Sequence, residues 1–188
     1  QNEPHTDFSN AALREQMTNA LQEVRGKLGA FHPLLIDESA LQTGKEAVSR
    51  NPARPDEVVG RLEIAGQAEV DLAICAAVAA FADWSEATVE TRAQIIDRAA
   101  DLLVKRRFEL AALEVFETGK TWREADADVC EAIDFCRYYA GEMRRLARGD
   151  LHIPGEEIRH DYIARGVAAV IAPWNFPLAI LCGMTTAA

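Results

Sequence analysis

Basic residues are in short supply: 20 Lys and Arg stand against 30 Asp and Glu in 188 residues, a formal charge of −10. Phosphate binding needs clustered cations, and the few present are interleaved with acids, which argues against a nucleic-acid or anionic-membrane surface. Cysteine and histidine are equally sparse. The thiols Cys75, Cys130, Cys136 and Cys182 show no CxxC spacing, and His5, His32, His152 and His160 are scattered, so neither a zinc site nor a disulfide framework is expected. All four thiols are expected as small buried apolar groups. No apolar run is long enough to span a bilayer, and the polar opening QNEPHTDFSN lacks a secretory signal's basic and apolar regions. A soluble cytoplasmic protein without membrane insertion is the expectation. The dinucleotide fingerprint G-x-G-x-x-G is missing too, so no ordinary Rossmann turn is written here.

What is present suffices for one domain core, or for part of a larger one, with 49% hydrophobic residues. Leu13, Met17, Leu21, Val24 and Leu28 stand at helical spacing, with Asp7 or Ser9 as caps and Gly29 as a stop. Short β-branched pieces follow: PLLID, EAVS after a Gly-Lys turn, and EVVGRLEIA after the loop NPARPD. From Gln67 to Arg148 the spacing predicts four helices. Their apolar stripes are Val70, Ile74, Val78 and Phe81; Ile95, Ala99, Leu102 and Leu103; Leu110, Leu113 and Phe116, ending at Gly119; and Ala125, Val129, Ile133, Cys136, Ala140 and Met143. Thr121 and Glu124 write a capping box at the start of the last.

The opposite side of that last helix carries Asp128, Glu131, Phe135 and Tyr138, so one carboxylate, Glu131, has a large ring one turn away. Either Glu131 is an exposed helix acid near a half-buried Phe, or it faces a site. The nearby TGKT has the end of a phosphate-binding loop but not its beginning, because Glu114 stands where the first Gly is required. Gly119 is a helix terminator and Thr121 a cap.

Past a Pro154-Gly155 turn, the alternation of Ile158, His160, Tyr162 and Ala164 predicts a hairpin. VAAVIA, Val167 to Ala172, lacks alternation, as expected of a strand buried on both faces of a parallel sheet. The chain then turns through Trp174, Asn175 and Phe176 into a helix whose first turn suits Pro177. That address is the carboxyl end of a strand, where α/β sheets bind ligands. Asn175 there offers an uncharged N–H donor suited to an oxyanion forming on a substrate carbonyl; a tight turn packed by two rings is the plainer alternative.

VIAPWNFPLAI resembles the proline-tryptophan-asparagine-phenylalanine-proline signature of the aldehyde dehydrogenase superfamily, and ADLLVKRRFELAALEVFETGKTWREADADVCEAIDFCRYYA resembles the helical region before it. NEPHTDFS, NPARPDEVVG and EAIDFCRYYA are similar to one branch, the 1-pyrroline-5-carboxylate (L-glutamate γ-semialdehyde) dehydrogenases, whose module also occurs in the bifunctional proline utilization A proteins. The resemblance implies an α/β fold: the N-terminal part of an aldehyde dehydrogenase, with a helical region, the start of a Rossmann-like parallel sheet and an oligomerisation hairpin. It divides the chain into an N-terminal helical arm (1–32), part of the cofactor-binding domain (33–149), a hairpin (150–165) and the first buried strand and helix of the cofactor cleft (166–188).

The implied chemistry is NAD-dependent oxidation of a small amino-acid aldehyde in proline catabolism, with NADP not excluded, in a homo-oligomer. In it Asn175 donates to the oxyanion, Ile171, Ala172, Pro173 and Trp174 border the cofactor, Phe176 lines the aldehyde pocket, and Glu131 faces the substrate's α-amine. The family's nucleophilic cysteine and general-base glutamate match nothing here and are expected beyond Ala188, so the chain alone is expected to be inactive. Another aldehyde as substrate, or a non-catalytic oligomerising helical module, are the alternatives.

Overall fold

The computed structural model describes residues 2–147, 154–155 and 162–188. Helix α1 (Ala11–Arg25) begins at Asn10, whose side chain accepts from the Ala12 N–H, so the cap lies one residue beyond the expected Ser9. Asp7 instead turns the preceding loop, accepting from the Ser9 N–H at 2.9 Å. The helix ends at Arg25, before Gly29, whose positive φ of 81° turns the chain into β1 (Ala30–His32).

β2 (Leu34–Ile36) and β3 (Ser39–Leu41) form an antiparallel hairpin closed by Asp37 and Glu38, both at positive φ, the two-residue turn whose twist suits a hairpin. β4 (Glu46–Arg50) and β5 (Val58–Glu63) complete a three-stranded sheet in the order β1-β5-β4, with β1 parallel and β4 antiparallel to β5. Strands at 34–36, 46–50 and 58–63 match the expected pieces, and β1 and β3 add to them.

Four helices follow, as the spacing predicts: α2 (Gln67–Glu86), α3 (Val89–Lys105), α4 (Arg107–Thr118) and α5 (Trp122–Leu146). Gly119 ends α4 at φ 72°, and a Cβ on it would meet Pro52 Cγ at 3.0 Å, so both backbone angle and space call for glycine. The Thr121–Glu124 capping box is formed. The core joins α1, α3, α4 and α5: Met17, Val24, Ala100, Ala111, Ala112, Phe116, Ala125, Val129, Ile133 and Cys136 are buried together.

Several expected faces are turned. The α2 stripe lies at the surface, with Val70 44%, Ile74 51% and Val78 60% exposed, and α2 buries no residue fully. On α3 the inward residues are Ala93, Ile96, Ala100 and Leu103, while Ile95 and Leu102 point out. On α4, Leu113 is outside and Ala111 and Ala112 inside. Small alanines admit closer helix approach than the larger residues around them, which apolarity alone does not reveal.

Val167–Ala172 forms no strand: Val167 is 47% and Ile171 83% exposed, and no described strand pairs with it. A buried parallel strand needs hydrogen-bonded neighbours, and β1-β5-β4 lies elsewhere. The expected hairpin falls largely outside the described residues; Pro154 and Gly155 are in a turn, and 162–164 carry no strand. Helix α6 (Ala179–Ala187) starts two residues after Pro177, which therefore precedes the cap Leu178 instead of occupying the first turn.

Gly183 marks where α6 meets α5. A Cβ there would stand 2.9 Å from Phe135 Cδ2 and 3.0 Å from Cγ. Gly183→Ala is therefore expected to lower stability by about 1–2 kcal/mol, the overpacking cost exceeding the ~1 kcal/mol that alanine contributes inside a helix. A urea midpoint that rises would show that the two helices have slack at this contact.

Candidate active site

Helix α5 carries its acids in three different circumstances, and the differences define the site. Asp126 is buried, and Arg107 meets it with two parallel bonds, Nε to Oδ1 at 2.7 Å and Nη2 to Oδ2 at 2.8 Å. The Thr6 N–H and hydroxyl add bonds of 2.8 and 2.7 Å. Burial works to raise the Asp126 pKa, but the guanidinium and the Thr6 donors outweigh it and hold the carboxyl below its ordinary value. The same Arg107 reaches Glu3 and the Pro4 carbonyl, and the Glu3 N–H donates to Asp134 at 2.7 Å, so the segment before α1 is strapped along α5.

Asp128, the second acid, has a fully buried side chain. Its Oδ2 accepts from Lys120 Nζ at 2.7 Å, and its Oδ1 accepts from the Ala179 N–H, at the start of α6, at 3.1 Å. A carboxylate at a helix N-terminus satisfies an orphan donor and complements the helix dipole. Lys120 also binds Glu114 Oε2 at 3.0 Å and lies 4.9 Å from the centroid of the Phe176 ring. One ammonium therefore joins the end of α4, the second turn of α5 and the loop before α6. This role of Lys120 was not legible in TGKT, because it depends on Asp128 eight residues on and on Phe176 far along the chain.

Glu131, the third acid, is half-buried and makes no hydrogen bond or ion pair with any described residue. It lines an open cleft of about 720 Å³ together with Asn2, His5, Asp134, Phe135, Tyr138 and Arg137, whose guanidinium is paired with Glu3 at 2.6 Å. Phe135 stacks with Tyr139 at 6.1 Å, giving the cleft an ordered aromatic wall, while Tyr138 is 60% exposed. Among the described residues, then, a carboxylate without a hydrogen-bonded partner faces a partly apolar cleft.

The signature loop lies one helix terminus away. Trp174 and Asn175 form a turn, Trp174 is 84% exposed, and the Asn175 amide makes no hydrogen bond to a described residue. Asn175 is thus held at a helix entrance and not at a strand's end. Ile171, Pro173 and Trp174 are exposed and Ala172 half-buried, a continuous apolar strip. Phe176 packs over Lys120 and does not line the cleft of Glu131, so the two expected substrate residues are not brought into one cavity. Of the four thiols, Cys130 and Cys136 are buried, Cys182 is half-buried, and Cys75 is exposed because it sits on the uncovered α2, contrary to expectation.

Glu114 supplies a pH test of this arrangement. Burial, followed by the neighbouring Asp128 carboxylate, pushes its pKa up to about 8 against the opposing pull of Lys120, and its Oε1 is buried without a partner among the described residues. A carboxyl with a raised folded-state pKa stabilises the fold at low pH, and that stabilisation is lost as pH rises from about 4.5 to about 8. Glu114→Gln is expected to remove a slope of up to ~1.4 kcal/mol per pH unit across this window. Unfolding curves at four pH values check it; parallel pH profiles for both proteins would place the titration elsewhere.

The Aldehyde dehydrogenase family profile matches residues 40–188. The chain is 45% identical over 187 residues to the 1-pyrroline-5-carboxylate dehydrogenase of Geobacillus sp. (strain WCH70), covering 98% of this chain and 36% of that protein. The Bacillus pumilus protein of the same name is 44% identical, with the same coverage. Among solved structures, proline utilization A from Bdellovibrio bacteriovorus superposes with a TM-score of 0.94 at 45% identity, covering 99% of this chain and 20% of that one. The Thermus 1-pyrroline-5-carboxylate dehydrogenase with bound NAD gives 0.90 at 42% identity, covering 99% and 37%. The chain thus spans about a third of the length of the curated relatives it matches, and has the fold of the corresponding N-terminal part. The signature loop, the helix that holds it and the matching profile have one reading: the chain belongs to the aldehyde dehydrogenase family.

Proposed function

We propose that the protein carrying this chain oxidises L-glutamate γ-semialdehyde, in equilibrium with 1-pyrroline-5-carboxylate, to L-glutamate, with NAD as hydride acceptor. The observation that carries this reading is the unmatched Glu131. On a helix whose other buried acids each have a cation, one carboxylate is left facing a cleft. An α-ammonium entering it would supply the missing partner, and desolvation beside Phe135 would strengthen the pair. The relatives' names point to the same substrate.

In this reading Asn175 works on the other end of the substrate. Its free amide N–H is available to the oxyanion that forms when a nucleophile adds to the aldehyde carbon, and it carries no charge that would bind the ground state strongly. Phe176, steadied over Lys120, would border the aldehyde. NAD, when bound, takes up hydride; Ile171, Ala172, Pro173 and Trp174 would hold it, in keeping with the NAD-bound Thermus relative. The expected division of the chain at 1–32, 33–149, 150–165 and 166–188, a cytoplasmic location and a homo-oligomeric state belong to the same proposal.

Replacing Glu131 with Gln in the enzyme that carries this chain keeps shape and removes charge. KM for the amino-acid aldehyde is expected to rise about tenfold or more, while an aldehyde of equal length without the amine is nearly unaffected. Equal losses for both would point to another aldehyde as the natural substrate. Asn175→Ala is expected to lower kcat on the order of a hundredfold, from the loss of ~3 kcal/mol of transition-state stabilisation, with NAD affinity unchanged by isothermal titration. Wild-type kcat in that variant would return Asn175 to the role of a turn residue.

A further inference from the structure

Cys136 and Cys182 bring their sulfurs to 3.3 Å across the α5–α6 contact, although 46 positions separate them in the chain. No role in the aldehyde chemistry falls to either. A disulfide requires about 2.05 Å, so the remaining approach is about 1.3 Å, shared between two side chains. Cys182 Sγ also lies 3.6 Å from the Ala132 carbonyl, which holds it over α5. The hydrogen bond from Cys182 lowers the Cys136 pKa against the effect of burial, so within the pair Cys136 is the readier thiolate.

An opening in the fold lies one helical turn from the pair. A cleft of about 220 Å³ between α3, α5 and α6 is lined by Ala93, Ile96, Ala140 and Thr186. Ala140 is one turn from Cys136, and the Thr186 hydroxyl donates to the Cys182 carbonyl at 2.8 Å. Among the described residues neither of the other two thiols has a sulfur partner. Burial pushes Cys130 up to about 12, and its polar neighbours are the Pro4 carbonyl and the Asp126 carboxylate. Cys75 is exposed on α2 with no thiol near it.

We propose that Cys136 and Cys182 are a disulfide-forming modification site, oxidised by hydroperoxides, whose closure staples α6 and the loop before it to α5. A peroxide oxygen is transferred to the Cys136 thiolate, giving a sulfenic acid and hydroxide. The Cys182 sulfur then displaces the new oxygen, which leaves as water with the Cys182 proton, and the S–S bond forms. Two electrons pass from the thiol pair to the peroxide. The bond would close a loop of 46 residues and hold α6 where Ala179 meets Asp128.

The test uses hydrogen peroxide on the Cys75→Ser form of the protein that carries this chain, which removes the exposed thiol among the described residues, followed by alkylation and peptide mapping without reduction. The expected result is a linked Cys136–Cys182 peptide with Cys130 still alkylated, and a melting temperature raised by about 5–10 °C that dithiothreitol reverses. The same treatment of the Cys75→Ser, Cys182→Ser protein is expected to give no shift. Recovery of both thiols, or sulfinic acid on either without the linked peptide, overturns the proposal. The map needs only the Cys75→Ser protein, so a poorly folding double variant leaves the test decisive.

Discussion

A single half-buried ammonium organises the region around the signature loop. Lys120 stands between Glu114 and Asp128, and Asp128 uses its other oxygen to hold the first N–H of α6. In this setting Lys120 and Asp128 are stable only together: removing either partner of such a pair costs about 3–5 kcal/mol, because the remaining charge is left unmatched. The cluster is also where three chain segments distant in sequence meet. Its consequence reaches the candidate chemistry, because the loop carrying Asn175 has Phe176 against Lys120 on one side and Ala179 against Asp128 on the other.

Helix α5 serves as both core and scaffold. Ala125, Val129, Ile133, Cys136 and Ala140 make one buried face, and the acids around it are distributed by partner. Arg107 and Thr6 take Asp126, Lys120 takes Asp128, the Glu3 N–H takes Asp134, and Glu131 is left to the cleft. A helix of 25 residues has room for this: Asp126 and Asp128, two residues apart, point to opposite sides, while Glu131 and Asp134 follow Asp128 at three-residue steps and meet different partners on successive turns. The segment before α1 contributes twice, strapping α5 through Glu3 and Thr6 and lending Asn2 and His5 to the cleft wall.

Exposed apolar surface concentrates on α2 and on the stretch from Ile163 to Trp174, whereas α1, α3, α4 and α5 share one core with α6 packed on α5. The rigid part of the candidate site therefore rests on the helical core. The strip expected to meet the cofactor lies outside it, at the surface and without strand pairing. That contrast separates the two proposed binding functions physically: the ammonium site is built into a packed helix, and the cofactor strip is not.

Helix existence, the Gly119 stop, the Thr121–Glu124 cap and the buried face of α5 were legible in the sequence, because each depends on residues within a turn or two of one another. So were the acid-and-aromatic face around Glu131 and the signature residues themselves. The orientation of α2 and α3, the missing strand at 167–172 and the separation of Phe176 from Glu131 were not, because apolarity says that a residue favours burial but not which partner covers it. Lys120 shows the same limit for charge. Its neighbours in sequence exclude a phosphate loop, but only the tertiary fold, by bringing Glu114, Asp128 and Phe176 around it, decided that its ligands are carboxylates and a ring. Local geometry is set by short-range sterics and hydrogen bonds that the sequence states outright; the matching of buried charges is a long-range condition that only the packed chain satisfies.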